Sequence, residues 1–216
     1  MASEDIAGDF DLSSATIRNI FSELEESGYL THPYTSGGRI PTNKGYRYYV
    51  DFLISQMELL HYEKERIIQQ YKKEVRRLED ALEKTCEVIS TITHYTGIVS
   101  SLDWHDRFYY KGIGFILEQP EFHDVEKMRI LIRMLEDKEN LLNIINSDFN
   151  DKVRVYIGNE LGCPEMENCS LIVSSYHWRN KPGRLAVLGP ARMEYRHAIP
   201  TLEYISEVLT EVLEAI

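Results

Sequence analysis

The 216-residue chain, 43% hydrophobic and 27% charged, can bury a core in one domain or two and is too apolar for wholesale disorder. Its 35 acidic against 24 basic residues leave a net charge of -11, which excludes a protein that coats nucleic acid non-specifically but permits a local cationic reading surface. Cys86, Cys163 and Cys169 are odd in number and lack C-x-x-C spacing, so they read as free thiols of a reducing compartment, not as a disulfide framework or a zinc site. The acidic start MASEDIAGDF has no apolar signal-peptide core, and no apolar run approaches the roughly 20 residues that span a bilayer, so the expected location is cytoplasmic.

Taken in order, Ser3 to Phe10 predicts a short helix with Ser3 as its cap, too short to stand without packing on the next helix. That next helix starts at Ser13 or Ser14 and stops at Gly28, with Ile17, Ile20, Phe21 and Leu24 on its apolar face. Its opposite N-terminal face carries Ser14, Thr16, Arg18 and Asn19. Arg forks to guanine, Asn pairs with adenine, and hydroxyls or helix N-terminal amides hold phosphate, although the same residues also suit an ordinary solvated face.

The segment after this helix weights the reading toward DNA. Tyr29 to His32 predicts a strand, Thr35-Ser36-Gly37-Gly38 a hairpin loop, and Arg39-Ile40 the start of the return strand. Thr42 can cap a further helix that carries Lys44 and Arg47. Helix, then hairpin with an arginine at its base, is the order of a winged helix-turn-helix. Arg18, Arg39, Lys44 and Arg47 outnumber Glu23, Glu25 and Glu26 in this window by one. The expected base contacts are Arg18 and Asn19; Ser14, Thr16, Thr35, Ser36, Arg39, Thr42 and Lys44 are expected at phosphate or along the wing.

The stretches SSATIRN, ESGYL, TSGGRIPT and KGYRYYVD, in this order and nearly without gaps, resemble the N-terminal signature of the HrcA heat-inducible transcription repressors. The resemblance implies a homodimer that binds double-stranded DNA at an inverted-repeat operator, called CIRCE, upstream of chaperone genes. It also implies a GroEL-type chaperonin as a partner that sets repressor activity. On that resemblance the first helix expected of a complete winged helix would be absent or cut short before Ser3.

From Val50 to about Thr93 the apolar positions Leu53, Met57, Leu60, Ile67, Tyr71, Val75, Leu78, Leu82, Ile89 and Ile92 are mostly 3, 4 or 7 apart. They predict one long amphipathic helix or a pair, with a seam suited to an intramolecular core or to dimerisation. A palindromic operator favours dimerisation, because two half-sites require a two-fold protein. THYTGIV, from Thr93, ends the helix and enters a short strand, again resembling the family. His94 has no carboxylate, cysteine or second histidine placed to make a site with it and reads as structural.

Where the family opens a long insertion, only SSLDWHDRF stands between Val99 and Tyr109. Tyr109, Ile113 and Phe115 to Leu117 predict a strand, Val125 to Leu135 a helix continued or followed by Glu139 to Asn146, and Val153 to Ile157 a buried strand. Ser170 to Tyr176 and Arg184 to Gly189 predict two more strands with a loop at Asn180 to Gly183, and Ile199 to Ala215 a closing helix. RLAVLGPARMEYRHAIPTLEYI also resembles the family, whose fold implies a reduced GAF-like core here.

No catalytic set emerges: Glu194, Arg196 and His197 have no nucleophile, metal set or phosphate loop to work with, and Gly112-x-Gly114 lacks the third glycine of a dinucleotide fingerprint. The expectation is therefore an α+β protein, not an enzyme, with no cofactor and no metal. Residues 1–49 would form a winged helix-turn-helix, 50–93 a linking and dimerising helix, and 94–216 a reduced GAF-like domain. The alternative is an effector-binding or protein-interaction module that has lost productive DNA binding.

Overall fold

The computed structural model describes residues 6–7, 9–10, 12–33, 38–54, 59–71, 77–101, 108–136, 138–147, 152–162, 166–179 and 181–215. The chain divides into two units, Met1–Phe52 and Leu53–Ile216. Helices and an antiparallel sheet make it an α+β protein.

In the first unit, helix α1 spans Ser14–Glu26. Ser13 caps it from the extended region, its Oγ accepting from the Thr16 amide at 3.1 Å, which satisfies one of the orphan donors of the first turn. The helix ends because Gly28 adopts φ 75°, a conformation that costs a residue without Cβ little. The Gly28 amide then donates to Glu25 O and the Tyr29 amide to Leu24 O, the paired bonds of a Schellman cap. Strands β1 (Leu30–Thr31) and β2 (Ile40–Pro41) come next, pairing antiparallel as Leu30↔Pro41 and Thr31↔Ile40. β1 is shorter than expected, β2 starts one residue later than the expected Arg39, and the expected loop residues Thr35 and Ser36 lie outside the described residues.

Helix α2 spans Asn43–Ile54. Its cap, Thr42, accepts from the Gly45 amide at 3.2 Å and donates to Gly28 O at 2.7 Å, so one hydroxyl ties the start of α2 to the end of α1. At Gly45 an added Cβ would meet Tyr29 O at 2.3 Å, so α2 approaches the chain entering β1 more closely than a side chain allows. The apolar stripe of α1 is narrower than predicted. Ile17 and Phe21 are buried, whereas Ile20 and Leu24 are exposed.

The second unit opens with helices α3 (His61–Tyr71) and α4 (Leu78–Thr93). The stretch expected as one long helix or a pair is thus at least three helices among the described residues, since α2 ends at Ile54. Residues 55–58 and 72–76, which hold Met57 and Val75 of the predicted seam, lie outside the described residues. The sheet of this unit has five antiparallel strands in the order β4-β3-β7-β6-β5, from β3 (Thr96–Ser101), β4 (Phe108–Lys111), β5 (Val153–Ile157), β6 (Cys169–Trp178) and β7 (Lys181–Pro190). The residues 113–117 predicted as strand instead form helix α5 (Ile113–Leu117), because Gly112 at φ 83° turns the chain out of β4. Helices α6 (Val125–Glu136) and α7 (Lys138–Ile145) come next, and α8 (Tyr195–Glu214) closes the chain, starting four residues earlier than expected.

Successive strand residues face opposite ways, so the sheet carries two cores. Ile98, Ala186, Leu188, Leu171 and Val173 cluster with Ile116, Leu131, Leu135, Leu141 and Ile145 of α5, α6 and α7. On the other face α4 approaches so closely that a Cβ at Gly97 would meet Cys86 O at 2.6 Å and the Ile89 Cβ at 2.8 Å. Leu82 and Ile89 of α4 are wholly buried within this unit, as are Leu202 and Leu209 of α8. The α4 half of the predicted seam is therefore occupied inside the chain: its apolar face covers the sheet and meets α8, leaving those side chains no surface to offer a second copy.

Candidate nucleic-acid interface

The first unit sets most of the predicted contact residues on or beside α1. Ile17 and Phe21 define the inward side of that helix, which leaves Thr16, Arg18 and Asn19 exposed and Ser14 half-buried near its N-terminus. No acidic side chain occupies the first turn of the helix itself. Thr16 is partly engaged by the cap, its Oγ1 lying 2.9 Å from Ser13 Oγ.

Of the remaining predicted contacts, Arg39, Thr42 and Lys44 are tied into the unit, and Thr35 and Ser36 lie outside the described residues. Thr42 caps α2 and clamps it to the end of α1. The Lys44 ammonium donates to Ser27 O at 2.7 Å and sits 4.4 Å from the centre of the Tyr29 ring, so an exposed cation is held over the end of α1. Tyr29 is braced in turn by an edge contact with Tyr48 at 5.6 Å. Arg39, at the base of the hairpin, lies over the Phe21 ring at 5.7 Å with its Nη2 3.6 Å from Glu25 Oε2. The same carboxylate receives His32 Nδ1 through its other oxygen. Arg47 pairs with Asp51 at 3.4 Å.

One residue of this arrangement, Glu25, reads from sequence only as a negative charge near the end of a helix. A carboxylate one turn before a hairpin that carries His and Arg on its two sides is the available signal. Its meaning stays hidden because sequence spacing does not state where the hairpin folds back.

Elsewhere the titratable groups serve packing. The Cys86 thiol donates to Tyr109 O at 3.3 Å, and burial pushes it up from its ordinary range; Cys169 is buried as well, and Cys163 lies outside the described residues. His94 ends α4 at φ 55° and meets Phe115 edge-on, as expected of a structural histidine. His197 lies 3.8 Å from Glu63 on α3, and the Glu194 amide donates to the Tyr95 hydroxyl. Among the described residues no group of three or more His, Cys, Asp or Glu is placed to hold a metal, and no helix is long and apolar enough to cross a membrane.

Known proteins match the chain along nearly its whole length. A family model described as the HrcA protein C terminal domain matches residues 101–199. The heat-inducible transcription repressor HrcA of Carboxydothermus hydrogenoformans is 30% identical over 314 aligned positions, covering 99% of this chain and 92% of that protein. The namesake from Pelotomaculum thermopropionicum is 28% identical over 305 positions, covering 95% and 88%. Both alignments are longer than the 216-residue chain, so these relatives carry residues that it lacks. A crystal structure described as that of a hypothetical protein superposes with a TM-score of 0.82 at 17% identity, over all of this chain and 92% of that one, and so shares the fold. With a relative of this identity covered almost end to end, the chain belongs to the family of heat-inducible transcription repressors HrcA, and it is a transcriptional repressor.

Proposed function

We propose that the first unit is a winged helix-turn-helix that reads double-stranded DNA, with α1 as the helix of the major groove and the β1–β2 hairpin as the wing. The observation that carries this reading is the outward face of α1: Thr16, Arg18 and Asn19 exposed beside a capped first turn that carries no acid, with a paired hairpin directly after the helix. Arg18 and Asn19 contact base edges. Ser14, Thr16, Thr35, Ser36 and Arg39 contact the backbone; Thr42 and Lys44 border the same surface and shape it from within. The protein acts as a cytoplasmic homodimer on an inverted repeat of the CIRCE kind and represses chaperone genes, and a GroEL-type chaperonin is the partner that sets the active fraction. The second unit is a reduced GAF-like domain.

Titration of the whole chain against a duplex bearing the inverted repeat and against a scrambled duplex, by gel shift and fluorescence anisotropy, tests the assignment. Binding tighter by about a thousandfold or more to the repeat is the expected result. Equal affinity for both duplexes would reject it and favour the second reading, an effector-binding or protein-interaction module. One observation speaks for that second reading: a cavity of about 650 Å³ beside α8, with Arg184, Ser175, Lys152 and Glu203 among its lining. Arg184 is buried there, its Nη1 donating to Ser175 Oγ at 2.8 Å.

A further inference from the structure

Among the described residues the hairpin of the first unit has a ladder of two residue pairs, Leu30↔Pro41 and Thr31↔Ile40. Two pairs define a register but hold a hairpin's direction weakly, since an isolated two-stranded ribbon is marginal in water. Something else must set the angle between the hairpin and α1. The candidates are the side chains that cross from one to the other.

They converge on one group. Glu25, in the last turn of α1, receives His32 Nδ1 on Oε1 and faces Arg39 Nη2 at 3.6 Å with Oε2. His32 comes immediately after β1 and Arg39 immediately before β2, so a single carboxylate touches the chain on both sides of the loop. Arg39 is further located by the ring of Phe21, one turn earlier on α1 and buried in the core of the unit. At 3.6 Å the carboxylate holds Arg39 by charge, and the Phe21 ring, its centre 5.7 Å from the guanidinium carbon, adds a second anchor. About a quarter of each of the Glu25 and Arg39 side chains remains exposed, so the tie lies at the surface that the hairpin presents.

We propose that Glu25 is a positioning residue of the DNA reader: it aims the wing, and through it Arg39, at the phosphate backbone without itself touching DNA. This inference rests on the assignment of the first unit as a DNA reader. It reverses the simple electrostatic expectation, in which an acid beside a cationic contact only weakens binding. Removing the charge of Glu25 eliminates repulsion toward phosphate, so binding to arbitrary DNA holds or rises. Binding to the operator falls, because the wing no longer meets the backbone in register with α1.

The test uses the full chain, the inverted-repeat duplex and the scrambled duplex, with anisotropy titrations at several salt concentrations for wild type, Glu25→Gln, Arg39→Gln and the double variant. Glu25→Gln is expected to weaken operator binding about fivefold, the scale of one partly exposed ion pair, while affinity for the scrambled duplex stays level or increases. In the Arg39→Gln background the same change is expected to lose most of its effect on the operator, the remainder passing through His32. The thermal midpoint, followed by circular dichroism, is expected to match that of wild type. Equal losses on both duplexes together with a lowered midpoint would mark Glu25 as a fold-stabilising residue only and overturn the proposal, as would an unchanged ratio of the two affinities. A wild-type chain that does not distinguish the duplexes fails the DNA-reading assignment itself, a separate result that takes the positioning role with it.

Discussion

At the scale of single residues, the first unit contrasts side chains that face solvent with side chains that hold the frame. Arg18 is exposed on the outward face of α1, and replacing it by Ala is expected to cost about 1 to 3 kcal/mol of operator binding and to relax specificity at the base it is proposed to read. Competition with single-base operator variants measures this; unchanged discrimination would remove Arg18 from base reading. Thr42 lies among the predicted contacts yet works inward, accepting from Gly45 and donating to Gly28 O. Thr42→Ala is therefore expected to lower stability by about 1 kcal/mol, the usual worth of a cap, and to weaken operator and scrambled DNA by similar factors. A selective loss on the operator alone would instead assign Thr42 a direct contact.

At the scale of elements, close approach explains residues that periodicity passes over. The Cβ missing at Gly45 lets α2 reach Tyr29 O, and the one missing at Gly97 lets α4 lie on the sheet against Ile89. Gly45→Ala is expected to destabilise the first unit by about 1 to 3 kcal/mol, the range for forcing extra volume into a packed site. Because Gly45 faces the chain and not solvent, urea unfolding read by the tyrosines should register the loss even where DNA is absent. Ile89→Ala is expected to cost about 2 to 5 kcal/mol in the second unit, since a wholly buried chain leaves a cavity between helix and sheet. Sedimentation of that variant carries a second answer. Its folded fraction is expected to keep the wild-type oligomeric state, because Ile89 faces the protein's own sheet; dissociation into monomers of unaltered fold would return α4 to the role of dimer seam.

At the scale of the whole molecule, burial of ionisable groups sets the response to pH. Burial pushes the Tyr71 and Tyr176 phenols and the Cys86 thiol above their ordinary values. A raised native pKa means that the unfolded chain releases its protons first. The stabilisation is complete below the unfolded values, about 8.5 for a thiol and 10 for a phenol, and is lost as pH rises beyond them. The melting temperature is accordingly expected to fall steadily from about pH 9 upward. Tyr71 donates to Thr85 Oγ1 at 2.8 Å inside this unit. Tyr71→Phe should cost about 1 kcal/mol at neutral pH through that lost bond and shallow the alkaline decline. A decline as steep as that of wild type would show that Tyr71 contributes nothing to the alkaline response.

The sequence by itself determined whatever rests on local chemistry. Ser13, Gly28 and Thr42 mark helix ends, the apolar runs of β5, β6 and β7 mark buried strands, and the linked stretches from Ser13 to Asp51 identify the repressor family. These signals survive because a cap, a turn or a period is decided within a few residues of itself. Only the tertiary structure decided which surfaces meet. A seam at spacings of 3 and 4 looks the same whether it covers a sheet or another helix, so the intramolecular burial of α4 is not legible in it. An apolar run as short as Ile113 to Leu117 suits strand and helix alike, and the turn at Gly112 settled it as helix. The convergence of His32 and Arg39 on Glu25 depends on where the hairpin folds back over α1, a geometry that packing against Phe21 sets and that residue spacing does not encode.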